Sequence, residues 1–107
     1  MRTITRQQLN ERLANDDLTL VEVLERKYYR KFHLPGAINV PLGEDFDRRI
    51  QEAVPDKNRP VVVYCSDIEC EASPKAARRM EDLGYQQVFD YEAGKMDWKE
   101  AGLPVER

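Results

Sequence analysis

VVVYCSDIECEASPKAA, residues 61–77, is the stretch whose reading decides the fold. With Pro60 ahead of it, the first part is a nearly unbroken apolar run, which implies cover on both faces, as in a parallel sheet flanked by helices. Residues 60–65 are therefore expected to form the central strand, with Cys65 as its last residue. Ser73 followed by Pro74 reads as a helix start with proline at the first helical position, and Ala76, Ala77, Met80 and Leu83 continue one face until Gly84 ends it. A thiol thus stands between a buried strand and a helix, in a loop that also carries Asp67, Glu69 and Glu71.

Working outward from this stretch, strands and helices alternate. Thr5 and Gln8 have capping-box spacing, and Leu9 and Leu13 recur at helical spacing, which predicts a helix over 6–15 closed by a turn at Asn15 and Asp16. LTLVEV (18–23) and AINV (37–40) read as short strands, with the helix-like ERKYYRKF (25–32) and the turn HLPGA between them. Phe46, Ile50 and Ala53 share one helical face, stopped by Pro55. QVFDY (87–91) is a last strand and KMDWKEAG (95–102) a last short helix. Such alternation implies right-handed crossovers and an α/β fold whose mainly parallel central sheet has helices on both faces.

The 107 residues suit one domain, 1–107, and are too few for two. Charged residues make up 35% of the chain with both signs interleaved, and the net charge is −3. That balance argues against nucleic acid as a partner, since displacing counterions from phosphate needs a basic face. MRTITRQQLNERLAND lacks the apolar core of a secretion signal, and no apolar run is long enough to cross a bilayer. A cytoplasmic protein without membrane contact is the expectation, with a small molecule or another protein as its partner.

Two cysteines separated by four residues close only a small ring, so chemistry explains them better than stabilisation does. In open α/β sheets ligands bind beyond the carboxyl ends of the strands, where Cys65 is expected. The first amides of the following helix point back at the loop, and such a cradle lowers a thiol pKa. The plainer alternative is that Cys65 is a small buried hydrophobe. Cys70 is either a gap-filling loop cysteine or a resolving thiol that attacks a persulfide or sulfenate on Cys65.

Three segments in order resemble the rhodanese-like sulfurtransferase family. LVEVLERKYYRKFHLPGAINVP (20–41) is similar to the family's strand, helix and His-x-Pro-Gly-Ala-x-Asn/His turn. VVVYC is similar to its catalytic strand, and LGYQQVFDYEAGKMDWKEAGLPVE (83–106) to its closing Gly-Tyr, Gly and Trp segment. The resemblance implies a rhodanese-like α/β domain that needs no cofactor and no metal. Its cysteine takes a sulfane sulfur as a persulfide and passes it to a nucleophilic acceptor. Carried over by position, Cys65 is the sulfur carrier, and the backbone amides of Ser66, Asp67, Ile68, Glu69 and Glu71 hold the persulfide. The implied partners are a small sulfur donor or a protein persulfide, and a thiol acceptor or protein partner. A non-catalytic member of the same fold, binding a protein partner through this loop and the basic helix, is the alternative.

The loop departs from the family's Cys-x-x-Gly-x-Arg-Ser pattern. Aligned on Ser73, Ala76 and Ala77 it is two residues longer, and the arginine's place is held by Ala72; counted from Cys65 it is held by Cys70. The family's Asp-Val-Arg becomes Glu22-Val23-Leu24. An acid about 7 Å from a thiolate costs on the order of 0.5 to 2 kcal/mol, depending on screening. Three such acids could cancel a helix-end contribution of under about 2 kcal/mol. The loop therefore looks better suited to a neutral or cationic donor, a protein persulfide or a thiol partner than to a dianion such as thiosulfate. Phosphatase chemistry, which needs an arginine after the nucleophile, meets Glu71 instead.

The remaining candidates have plainer readings. His33, the only histidine, is expected to be a hydrogen-bonded turn residue, and a zinc site from Cys65, Cys70 and His33 would lack a fourth soft ligand. Arg26, Lys27, Arg30 and Lys31 form a basic helical face, either merely solvated or a dock for an acidic partner. Trp98 and Met96 are expected to pack the last helix onto the sheet. Cys65 itself is expected at the mouth of a shallow pocket, its sulfur facing the loop amides.

Overall fold

The computed structural model describes residues 1–15 and 18–107. In chain order the elements are β1 (Arg2–Thr3), α1 (Arg6–Ala14), β2 (Thr19–Glu22), α2 (Arg26–Lys31), β3 (Ile38–Asn39), α3 (Phe46–Ala53), β4 (Val61–Tyr64), α4 (Ala72–Asp82), β5 (Val88–Tyr91) and α5 (Gly94–Glu100). Among the described residues the strands form one five-stranded sheet in the order β1-β5-β4-β2-β3. Every pairing in it is parallel.

β4 lies at the centre, as its unbroken apolar run predicts, and all four of its residues are fully buried. Alternate residues serve opposite faces. Val61 and Val63 pack with Phe46 and Ile50 of α3 and Ala76, Ala77 and Met80 of α4. Val62 and Tyr64 pack with Leu9 of α1 and Trp98 of α5, against which Tyr29 of α2 also rests. Fully burying a valine side chain contributes roughly 2 kcal/mol, so this one strand anchors both halves of the core.

The capping box at α1 is present. Gln8 N donates to Thr5 Oγ1 at 3.1 Å and Thr5 N to Gln8 Oε1 at 3.0 Å. Thr5→Ala should therefore cost about 1 kcal/mol in urea unfolding; a loss within error would mean the helix end needs no side-chain cap. α1 closes at Asn15, whose amide donates to Arg12 O. Asp16, the other half of the expected turn, lies outside the described residues.

One strand is added to those expected and two local expectations are corrected. β1 carries no apolar pattern, since both its residues are exposed, yet it pairs with the edge of β5 through Arg2 beside Phe89 and Thr3 beside Asp90. α4 begins at Ala72, one residue before the expected cap, so Pro74 is the third helical residue. The amides of a first helical turn have no intrahelical partner, and proline there forfeits no hydrogen bond. Ser73 consequently does not cap the helix but is buried inside its first turn. Finally, Trp98 packs the last helix as expected while Met96 is exposed on its outer side. No helix among the described residues is long and apolar enough to cross a membrane.

Candidate active site

Cys65 is the first residue beyond β4, and its backbone is held by the start of α5. Lys95 N donates to Cys65 O at 3.0 Å, and Met96 N donates to Ser66 O at 2.9 Å. The chain reaches this position through Gly94, whose φ is +78°. A Cβ on Gly94 would lie 2.5 Å from the carbonyl carbon and oxygen of Ser66 and 2.6 Å from Asp67 N. Only glycine lets the two backbones come this close. The 66–71 loop is therefore clamped on the α5 side.

On the other side Cys65 is joined to Cys70 by a disulfide with Cα atoms 6.4 Å apart, inside the span such a bridge accepts. Its side chain is 1% exposed, among Val63, Ala76 and Ala77, with Cys70 and Ala72 packed against the same cluster. Cys65 is thus closed off rather than set at the mouth of a pocket. The physical reason is the bridge, which draws the half-buried Cys70 inward over the sulfur. Ser73 Oγ is 3.5 Å from Cys65 Sγ. The sulfur therefore rests against the first turn of α4, where a helix dipole favours negative charge.

The acidic side chains turn away from this centre. Asp67, Glu69 and Glu71 are all exposed; Asp67 Oδ1 accepts from Glu69 N at 3.1 Å, and Glu71 faces Lys75 at 3.8 Å. Water screens exposed charge, so their repulsion of a donor is weak. Asp67 O also accepts from Cys70 N at 3.1 Å, so the amides of Glu69 and Cys70 are both turned to Asp67. Ile68 is 63% exposed at the loop's tip, near Met96.

His33 is engaged elsewhere. Its ring stacks on Tyr29 with centroids 3.8 Å apart, and Nδ1 donates to Tyr29 O at 2.9 Å. Its backbone bridges to Glu106. The basic residues of α2 are exposed to solvent.

Two buried acids were given no partner by sequence reasoning, which met Glu22 only as the residue in place of the resembled family's aspartate. Glu22, fully buried at the end of β2, accepts from Tyr64 Oη at 2.9 Å and from Lys95 Nζ at 3.0 Å. Lys95 Nζ also donates to Tyr28 O at 2.8 Å and Phe32 O at 2.7 Å. Burial pushes the Glu22 carboxyl up and the Lys95 ammonium down, with each partner opposing the other's shift. The same lysine whose amide holds Cys65 therefore ties α5 to β2 and α2. Asp90, on β5, is the second group, 1% exposed and pushed up by burial. Asp90 shows no sequence signal beyond interrupting an apolar strand, whereas Glu22 stands where the resembled family has an aspartate.

Known proteins place this arrangement. The chain is 39% identical over 103 residues to the HTH-type transcriptional regulator Rv0324 of Mycobacterium tuberculosis, covering 96% of this chain and 44% of that protein. It is 40% identical over 68 residues to thiosulfate sulfurtransferase PspE of Escherichia coli, covering 64% of this chain and 62% of the relative. The chain thus spans less than two thirds of either relative. Among solved structures, the rhodanese-like domain of the Anabaena Alr3790 protein superposes with a TM-score of 0.86 at 26% identity, over 99% of this chain and 79% of that one. The Rhodanese-like domain family matches residues 5–101, nearly the whole length, and the chain belongs to that family.

Proposed function

We propose that the protein is a cytoplasmic sulfurtransferase that carries sulfane sulfur as a persulfide on Cys65 and resolves it with Cys70. The observation that supports this reading most is the pairing of the two cysteines at the carboxyl end of the central strand, against the first turn of α4. The relative named as a thiosulfate sulfurtransferase adds to it.

In this reading the resting disulfide must first be reduced by a dithiol partner. The Cys65 thiolate then attacks the outer sulfur of a donor, either a small persulfide, a protein persulfide or thiosulfate. The donor's S–S bond breaks and its electron pair leaves with the remainder of the donor. The amides of Ser66, Asp67, Ile68 and Glu71 hold the terminal sulfur anion. Transfer follows when an acceptor thiolate attacks that terminal sulfur and returns the electron pair to Cys65. Without an acceptor, the Cys70 thiolate attacks Cys65 Sγ, closes the disulfide and expels hydrosulfide. Thiosulfate is a slower donor than an uncharged one, because nothing in the loop supplies a cation to bind its oxygens.

Intact-mass measurement of the reduced, desalted protein after exposure to thiosulfate or to a low-molecular-weight persulfide tests the reading. The protein should gain one sulfur atom, Cys65→Ala none, and Cys70→Ser should keep its added sulfur longer. If no donor adds sulfur to reduced protein, the fold serves as a binding module instead.

A further inference from the structure

The two sulfurs of the bridge are not equally open to attack. Cys65 is 1% exposed, inside the cluster that β4 forms with the inner side of α4. Cys70 is half-buried and rests on that cluster from outside, between the exposed Glu69 and Glu71. A thiolate opens a disulfide by striking one sulfur and expelling the other, so access decides which sulfur receives it. An approach to Cys65 has to cross buried side chains; an approach to Cys70 starts from solvent. The leaving group points the same way. Cys65 Sγ lies 3.5 Å from the Ser73 hydroxyl in the first turn of α4, where the helix dipole favours negative charge. An electron pair expelled onto Cys65 is stabilised there, whereas Cys70 would receive it between two carboxylates. The anchoring of the loop agrees. Its Cys65 end is held by the amides of Lys95 and Met96, while Cys70 N bonds within the loop, to Asp67 O, so the Cys70 end is the one able to turn outward.

We propose that Cys70 is a reversible S-thiolation site, at which a small monothiol opens the bridge and frees Cys65 as a thiolate. The incoming thiolate attacks Cys70 Sγ and a new S–S bond joins the two. The bond between Cys65 and Cys70 breaks, and its electron pair leaves on Cys65. One thiolate is consumed and one released, so charge balances and the bridge itself is the oxidant. With its resolving thiol capped, Cys65 takes sulfur from a donor and cannot lose it as hydrosulfide. Thiolation thus switches the protein from releasing sulfur to holding it for an acceptor, a regulation that rests on Cys65 being the sulfur carrier. A second thiol attacking the outer sulfur of the adduct removes the cap and returns Cys70.

The test uses no sulfur donor, so its failure is separable from a failure of sulfur transfer. The oxidised protein is exposed briefly to mercaptoethanol, an uncharged monothiol that Glu69 and Glu71 do not repel, and quenched with excess N-ethylmaleimide. Cleavage after Glu69 then puts the two cysteines on separate peptides for mass measurement. Singly opened chains should carry mercaptoethanol on Cys70 and maleimide on Cys65, outnumbering the reverse arrangement by roughly tenfold or more, because exchange follows access. The same chain unfolded in guanidinium should divide the adduct between the cysteines within about twofold, which assigns the preference to the fold. An adduct found mainly on Cys65, a preference no greater in folded than in unfolded protein, or a folded bridge that resists the thiol while the unfolded one opens would each overturn the proposal.

Discussion

Gly94→Ala should lower unfolding stability by roughly 3 to 5 kcal/mol, a large share of the ~5–15 kcal/mol that holds a domain folded. Two costs combine. A side chain at φ +78° is strained wherever it sits, by about 1 to 2 kcal/mol. The new methyl would also fall 2.5 Å from backbone atoms of Ser66, which have no rotamer to escape into. The two backbones must part, taking with them the hydrogen bonds from Lys95 N to Cys65 O and from Met96 N to Ser66 O. Gly102 is the control, with φ +79° and nothing within 4 Å of an added Cβ. Gly102→Ala should lose only the dihedral cost. Equal midpoint shifts for the two variants in urea would show that the contact with the loop is not what Gly94 is for.

Lys95→Met should cost about 3 to 5 kcal/mol near neutral pH, because it leaves Glu22 buried and charged without its cation. The pH dependence identifies the cause. Lys95 lowers the Glu22 pKa by its hydrogen bond and its charge, so its removal lets burial push that pKa higher still. A carboxyl that binds its proton more tightly when folded contributes full stability below its unfolded value, and the contribution is lost as pH rises through the folded value. The deficit of Lys95→Met should therefore shrink as pH falls through the raised folded value towards the ordinary glutamate value of 4.5, and level off below it. Part of it will persist, since the carbonyls of Tyr28 and Phe32 also lose their donor. Adding Glu22→Gln should recover most of the neutral-pH loss, with Tyr64 still able to donate to the amide oxygen. A deficit unchanged by pH and by Glu22→Gln would assign the lysine's role to packing alone.

The order of strands and helices was legible because burial on two faces leaves a continuous apolar run, as in residues 61–64, and burial on one leaves a helical period, as at Phe46 and Ile50. β1 was not, because two exposed residues carry no pattern and become a strand only when β5 offers an edge. At the site, the spacing of Cys65 and Cys70 permitted a bridge but left a gap-filling cysteine equally open, and only the folded loop, with Cα atoms 6.4 Å apart, joins them. Lys95 and Asp90 were invisible for another reason. Lys95 meets Glu22 across 73 residues of chain, and Asp90 is buried beside Val63 only once β5 pairs with β4, so their environments exist nowhere but in the folded sheet. Met96 was assigned inward because it is apolar, yet apolar side chains make up much of any protein surface.

The clamp on the 66–71 loop also sets when the site comes into being during synthesis. A domain is made from its amino end at ~5–20 residues per second, so Cys65 and Cys70 emerge seconds before Gly94, Lys95 and Met96. Until those last residues arrive, Cys65 O and Ser66 O lack their donors and β4 lacks β5 on one side. The thiols of a nascent chain are therefore open to solvent and to wrong partners in a way that those of the finished protein are not. Chains truncated before residue 94 and held on the ribosome by a linker long enough to clear its exit tunnel should react with a maleimide at both cysteines, and chains carrying the last helix ahead of the same linker at neither once the disulfide has closed.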